Sequence, residues 1–69
     1  MPRIEIELER EVDGRWIGEV PDLPGVMAYG ATESEARRLT EALALRVVAD
    51  RIEQGEAIPS GVRELFAAA

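Results

Sequence analysis

One segment of this 69-residue chain has both ends of a helix marked in its sequence. Residues 32–35, Thr-Glu-Ser-Glu, form a capping box, in which the Thr32 hydroxyl accepts a hydrogen bond from the Glu35 amide and the Glu35 carboxylate reaches back to the Thr32 amide. We predict a helix that runs from this box to residues 53–54, with Gly55 as its left-handed cap. An amphipathic helix needs an apolar surface to pack against, and the rest of the chain must supply it.

The apolar residues of this helix change their arrangement halfway along it. The first half carries one stripe, formed by Ala36, Leu39 and Leu43. The second half continues this stripe through Val47. It also carries a second stripe, formed by Leu45, Val48, Ala49 and Ile52. Since a helix that covers one face of a sheet needs only one stripe, we expect the second to be covered by the C-terminal segment or by another chain, and we treat it as a candidate self-association surface.

Three strands are predicted before the helix. Residues 4–9 alternate strictly between apolar and acidic side chains, which is typical of a half-buried strand. Residues 15–20 form the returning strand. Neither proline of Pro21–Gly25 can donate a backbone hydrogen bond, so this segment interrupts the ladder, and Pro24-Gly25 suits a type II turn. Residues 26–30 form a short third strand.

The pairing of the first two strands decides which side chains share a face. A two-residue turn at Asp13-Gly14 would place Leu8 opposite Glu19, on the apolar face. A three-residue loop or a bulge would instead pair Leu8 with Val20 and Glu9 with Glu19. We prefer the second register, because burying Glu19 without a partner costs several kcal/mol.

The preferred register assigns the larger side chains to the two faces of the sheet. Trp16 lies under the helix and is predicted to be a core residue in preference to an interface anchor. Ile17 lies on the open acidic face. Met27 and Tyr29 are also predicted to face outward, away from the helix.

Composition limits the chemistry open to the chain. Eight arginines and 14 acidic residues give a formal charge of −6, and Cys and His are both absent. Disulfides, thiolate nucleophiles, Cys/His metal sites and imidazole acid–base catalysis are therefore excluded. The acidic balance argues against direct nucleic-acid binding and favours a basic protein as partner.

Size and hydropathy suggest the setting. No apolar run approaches the ~20 residues that span a bilayer, and the N-terminus lacks the apolar stretch of a signal peptide, so we expect a cytoplasmic protein without membrane association. A chain this short buries roughly 60% of the surface that its unfolded form exposes. Without disulfides or a metal to help, we expect residues 1–69 to be a single domain that self-associates, as a homodimer.

Several motifs occur together along the chain. They are Asp13-Gly14 followed by an aromatic residue, Pro-Asp-Leu-Pro-Gly at residues 21–25, and Gly-x-Thr-x-x-Glu-Ala at residues 30–36. With this spacing, residues 4–59 resemble the HicB-like antitoxins of bacterial toxin–antitoxin systems. The motif residues for which we expect structural roles are Gly14, Trp16, Pro21, Pro24, Gly25, Gly30, Thr32 and Glu35.

The resemblance implies a partial RNase H-like fold of the α+β class, β-β-β-α-β, with an antiparallel-type sheet covered by one helix. It favours a strand for residues 62–66, whose periodicity alone fits a helical face or a strand. The partner it implies is a HicA-like toxin, a small basic mRNA-cleaving ribonuclease whose catalytic His is occluded. Many family members add a C-terminal DNA-binding domain; none is expected after Phe66, and so no direct operator binding is expected.

The resemblance to RNase H does not imply a nuclease. Such catalysis needs several carboxylates that converge on Mg²⁺, and the acidic residues here form no recognisable cluster, so we expect no catalytic residue, metal or cofactor. The candidate partner-binding residues are Glu5, Glu7, Glu9, Ile17, Glu19, Asp22 and Tyr29. The alternative for the glutamates is a solvated face, and for Asp22 a cap on a backbone amide. The alternative function is an orphan self-associating domain with no surviving toxin.

Overall fold

The computed structural model describes residues 3–67 and contains one sheet and two helices. The elements are β1 (Glu7–Arg10), β2 (Trp16–Glu19), β3 (Met27–Gly30), α1 (Glu33–Gln54) and α2 (Ser60–Arg63). The strands form an antiparallel sheet in the order β1-β2-β3, and α1 packs on one face of it. The predicted α+β class, with an antiparallel sheet under one long helix, is therefore confirmed.

A three-residue loop joins β1 to β2. The Glu11 amide donates to the Arg15 carbonyl over 2.7 Å, and the Gly14 amide donates to the Glu11 carbonyl over 3.0 Å. Residues 12–14 therefore form the loop. Inside it, an Asp13 carboxylate oxygen accepts from the Arg15 amide over 3.0 Å, which holds the chain where it re-enters the sheet.

The register of β1 and β2 differs from the preferred prediction. The opposed pairs are Glu7 with Glu19, Leu8 with Gly18, Glu9 with Ile17, and Arg10 with Trp16. Pairing Leu8 with Val20 and Glu9 with Glu19 is wrong by two residues, because a three-residue loop closes on residues 11 and 15. Since the shift is even, every side chain keeps its predicted face.

Two overlapping turns join β2 to β3. The Leu23 amide donates to the Val20 carbonyl, and the Val26 amide donates to the Leu23 carbonyl, each over 3.0 Å. Gly25 has a φ of 89°, which a type II turn requires at its third residue and which glycine adopts without strain. The predicted type II turn is confirmed. Leu23, which belongs to both turns, is directed into the core and fully buried.

Both ends of α1 lie where the sequence places them. The Thr32 hydroxyl accepts from the Glu35 amide over 3.0 Å, and Gly55 ends the helix with a φ of 71°. The Glu35 carboxylate reaches back as predicted, but it accepts from the Ala31 amide, over 2.9 Å, and not from Thr32. The box therefore ties the helix to the residue that follows β3.

Two glycines let α1 approach the sheet closely. A Cβ at Gly18 would contact the Thr40 side chain, with Thr40 Cβ at 3.0 Å, and a Cβ at Gly30 would lie 2.8 Å from Ala36 Cα. The helix therefore presents small side chains to the sheet, and its buried residues are Ala36, Thr40, Ala44 and Val48. The Thr40 hydroxyl donates to the Ala36 carbonyl over 2.7 Å, so its burial leaves no unpaired group.

The residues that α1 buries against the sheet differ from the predicted stripes. Leu39 is 39% exposed and does not belong to the buried line, whereas Leu43 and Val47 pack against the core from its side. Val48 was assigned to a self-association surface, but it is only 4% exposed and lies in the core. It follows Ala44 by four residues and therefore lies on the same buried face of the helix. Trp16 lies on the helix side of the sheet, as predicted, but it is only half-buried and does not belong to the core, so its assignment as a core residue is wrong.

The segment after α1 is not the strand that the resemblance favours. Ser60–Arg63 forms the short helix α2, and its Val62 is buried in the core. Leu65 and Phe66 follow in an exposed turn. The sheet of the described residues therefore has three strands, and the fourth strand predicted over residues 62–66 is wrong. Neither α1 nor α2 is both long and apolar enough to cross a membrane.

Candidate functional site

The candidate site is the open face of the sheet, the face turned away from α1. Two rows of opposed side chains cross it, one on each odd-numbered pair of the ladder. The rows are Glu7, Glu19 and Met27, and Glu9, Ile17 and Tyr29. The structure therefore brings six open-face side chains from three strands onto one surface.

Acidic side chains dominate the β1 side of this face. Glu7, Glu9 and Glu19 are exposed, and Glu5 continues the alternation on the extended residues before β1. Glu7 lies directly opposite Glu19, an arrangement that destabilises a sheet because like charges face each other. Exposure to water reduces this repulsion and keeps its cost small.

The β3 side of the face is apolar and aromatic. Met27 is 44% exposed and Tyr29 is 45% exposed, which confirms that both face outward. Ile17 lies between them and the acidic strand and is half-buried. The face thus joins an acidic band to a small apolar band.

One arginine sits at the loop end of the face. The Arg15 guanidinium lies 4.5 Å from the centre of the Tyr29 ring, within cation–π range. Arg15 Nε also donates to an Asp13 carboxylate oxygen over 2.8 Å. This trio was not predicted from the sequence. Its signal there is the Asp-x-Arg spacing, which brings the two charged groups together across the loop.

The same loop perturbs one carboxyl group. The pKa of Asp13 is lowered, first by the hydrogen bond from the Arg15 amide and then by that from the Arg15 side chain. A lowered pKa in the folded state adds stability above the unfolded-state pKa, and this contribution is lost as pH falls through the folded-state value. Because Asp13 and Arg15 are both exposed, the pair serves to order the loop and adds little to global stability.

Asp22 lies apart from the two rows but close to the acidic end. It is exposed, and none of the described side-chain hydrogen bonds involves it, so the predicted cap on a backbone amide is not found. A shallow depression is lined by Asp22 together with Arg3, Glu5, Glu7 and Pro21. Asp22 therefore extends the acidic band past the end of β2.

The predicted self-association surface is reduced to three residues. Leu45 is 63% exposed, Ile52 is 48% exposed, and Ala49 between them is also exposed. They follow one flank of α1, on which Leu45 lines a groove with Ile4 and Ile6 and Ile52 lines a depression beside α2.

Residues 3–67 contain no group of three or more acidic side chains placed to hold a metal ion. On the open face, Glu5, Glu7 and Glu9 follow one strand at every second residue, and Glu19 lies opposite Glu7. What this face offers is charge and shape.

No protein-family model, curated protein or solved structure matches the chain.

Proposed function

We propose that this chain is an antitoxin-type binding module, which docks a small basic HicA-like ribonuclease on its open sheet face and masks it sterically. The observation that supports this is the exposed acidic band beside Ile17, Met27 and Tyr29. Protein interfaces are enriched in aromatic residues and Met at their centre and are polar at their rim, which is the composition of this face. The proposed setting is the cytoplasm, and the module itself performs no chemistry.

Masking follows from the electrostatics that a ribonuclease needs. An enzyme that cleaves RNA neutralises phosphates with Lys and Arg. An acidic band with carboxylates about 7 Å apart along a strand would compete with RNA for the same cations. The net charge of −6 would also attract a basic partner at long range, and salt would weaken that attraction.

Neutralising the acidic band should slow partner association. With Glu5, Glu7 and Glu9 all changed to Gln, we expect the association rate with a small basic HicA-like ribonuclease to fall about tenfold at low salt, because steering is lost. Stopped-flow fluorescence measures the rate, and an RNA-cleavage assay with the antitoxin added shows whether inhibition weakens in parallel.

A second triple variant separates local from overall charge. Asp50→Asn, Glu53→Gln and Glu56→Gln remove the same three charges from exposed positions around the end of α1. We expect this control to associate nearly as fast as the unmodified chain. Equal slowing by both variants would reject the open face as the docking site, and no inhibition by the unmodified chain would reject the antitoxin function.

A self-associating domain is the second candidate, supported by the exposed flank of α1. Leu45, Ala49 and Ile52 follow one helical line and remain uncovered in the single chain. We expect sedimentation at micromolar concentration to show a dimer, and the double variant Leu45→Glu, Ile52→Glu to sediment as the 7.6 kDa monomer, because buried charges oppose the contact. Leu39→Glu, elsewhere on α1, is the control and should remain dimeric. An unmodified chain that sediments only as a monomer would contradict self-association.

A further inference from the structure

The free edge of β1 has backbone groups that the sheet does not use. Hydrogen bonding alternates along antiparallel strands, and the Glu11 amide bonds the Arg15 carbonyl, so the odd-numbered residues of β1 pair with β2. On β2, the Val20 amide bonds the Val26 carbonyl, which places the even-numbered residues toward β3 and agrees with this assignment. The N–H and C=O groups of Leu8 therefore point outward from the sheet edge, and the same alternation, continued one residue before β1, directs those of Ile6 outward as well.

An apolar groove runs along the helix side of this edge. Because Gly18 and Gly30 seat α1 over β2 and β3, the side chains of Ile4, Ile6 and Leu8 on the β1 side remain only half-buried. Leu45 of α1 lies beside Ile4 and Ile6. The groove is lined by Ile4, Ile6, Val20, Glu41, Ala44 and Leu45. Apolar side chains of a strand lying beside β1 would enter this groove.

The opposite side of the same edge is acidic. Glu5, Glu7 and Glu9 are exposed there at every second residue, about 7 Å apart. A strand beside β1 would place its alternate side chains against these carboxylates. A strand that fits this edge would therefore alternate strictly between Lys or Arg, on the acidic face, and apolar residues, on the groove side.

We propose that an extended segment of a basic partner protein adds to β1 as a further strand, with its Lys or Arg side chains against Glu5, Glu7 and Glu9 and its apolar side chains in the groove under Leu45. This proposal rests on the proposed function and specifies how the partner docks. Main-chain hydrogen bonds supply affinity in such strand addition, and the alternate side chains supply specificity.

A second copy of this chain is a poor occupant of the same edge. In an antiparallel pair of two β1 strands, the outward-pointing even residues must bond each other. Even-numbered residues then oppose even-numbered ones, and odd-numbered residues oppose odd-numbered ones. Because residues 5, 7, 9 and 11 are all Glu, every symmetric register places Glu opposite Glu. Like charges placed directly opposite are destabilising, and this favours a basic segment from a different protein.

The first test uses a blocked eight-residue peptide of alternating Arg and Val as the probe. We expect fluorescence anisotropy to show binding to the full chain, and the same peptide N-methylated at the residues that face β1 to bind about tenfold more weakly. A peptide of the same composition with its four arginines grouped together should also bind more weakly. Equal binding of all three peptides, or no binding, would overturn strand addition.

The second test removes one outward donor from the protein. Ile6→Pro deletes the amide that the alternation of β1 directs away from β2, a place where an edge strand tolerates proline. Ile6→Ala keeps the amide and shortens the side chain. We expect the Pro variant to bind the alternating peptide and the basic ribonuclease about tenfold more weakly than the Ala variant. Circular dichroism verifies folding, and the methylated peptide, which needs only the unmodified chain, keeps the test decisive if the Pro variant unfolds.

The outcomes separate this proposal from the proposed function. If both Ile6 variants bind the ribonuclease equally while the triple Glu→Gln variant binds it more slowly, strand addition is wrong and docking on the open face stands. If the unmodified chain does not inhibit the ribonuclease, yet the peptide results hold, the edge binds basic strands and the antitoxin function fails. Loss of self-association in Ile6→Pro, but not in Ile6→Ala, would identify a second copy as the occupant and overturn the proposal.

Discussion

Replacing Gly30 by alanine should lower the free energy of unfolding by about 3 kcal/mol, a large part of the stability of a domain of this size. The added Cβ would meet main-chain atoms at the start of α1, lying 2.8 Å from Ala36 Cα and 2.9 Å from the Glu35 carbonyl carbon. The main chain of a capped helix cannot relieve this clash by changing rotamer, as a side chain could. Urea unfolding followed by circular dichroism measures the loss, and Trp16, which lies opposite Gly30, adds a local fluorescence signal.

Gly18→Ala provides the contrast, because its Cβ would meet mainly a side chain. The nearest atoms belong to Thr40, with the Ala36 carbonyl oxygen 3.2 Å away. Adding Thr40→Ala should therefore recover part of the stability lost in Gly18→Ala, so that the two losses are less than additive. Ala36→Gly should not rescue Gly30→Ala, since it leaves the obstructing main chain in place. A Gly30→Ala variant as stable as the unmodified chain would contradict the close seating of α1.

These two glycines also explain why the buried line of α1 differs from the predicted stripe. A stripe of Ala36, Leu39 and Leu43 follows hydrophobicity, but the close approach at Gly18 and Gly30 admits only small side chains. Thr40 therefore takes the buried position and Leu39 remains partly exposed. Hydrophobic periodicity ranks side chains by polarity and contains no information on how near two elements come.

Features set by neighbouring residues were predictable. The capping box at Thr32, the left-handed Gly55 and the type II turn at Gly25 each depend on a few consecutive residues, and the structure has all three. The strand predicted over residues 62–66 rested on the family resemblance, since five residues give too short a pattern to choose between strand and helix. There, packing of Val62 against the core decides the outcome.

The candidate site was predictable in its faces but not in its pairing. Alternation placed Glu5, Glu7 and Glu9 on one side of the sheet, and any register that keeps this parity keeps the acidic band. Which residue Glu19 opposes depends on the loop, and the cation–π contact of Arg15 with Tyr29 depends on β3 as well. The outward direction of the β1 amides follows from hydrogen bonds alone, which side-chain patterns do not encode.

Leu23→Ala should cost about 3 kcal/mol, although the residue lies in the seven-residue connection between β2 and β3. Its side chain is fully buried among Val20, Val26, Val48 and their neighbours, where truncation leaves a cavity that the two turns cannot close. In a domain of this size the loss corresponds to a fall in melting temperature of more than about 10 °C. Thermal unfolding at one fixed protein concentration measures it, because self-association would otherwise shift the midpoint.

Leu65→Ala is the matched control for this loss. It removes the same atoms from a side chain that is 66% exposed, and it should change the free energy of unfolding by less than about 0.5 kcal/mol. A large effect at Leu23 with a small one at Leu65 would place a main anchor of the core within the Pro-Asp-Leu-Pro-Gly segment. The two prolines and Gly25 would then act by fixing the turns that direct Leu23 inward. Equal, small effects at both leucines would show instead that the connection is held by its own turn hydrogen bonds and that the core closes without it.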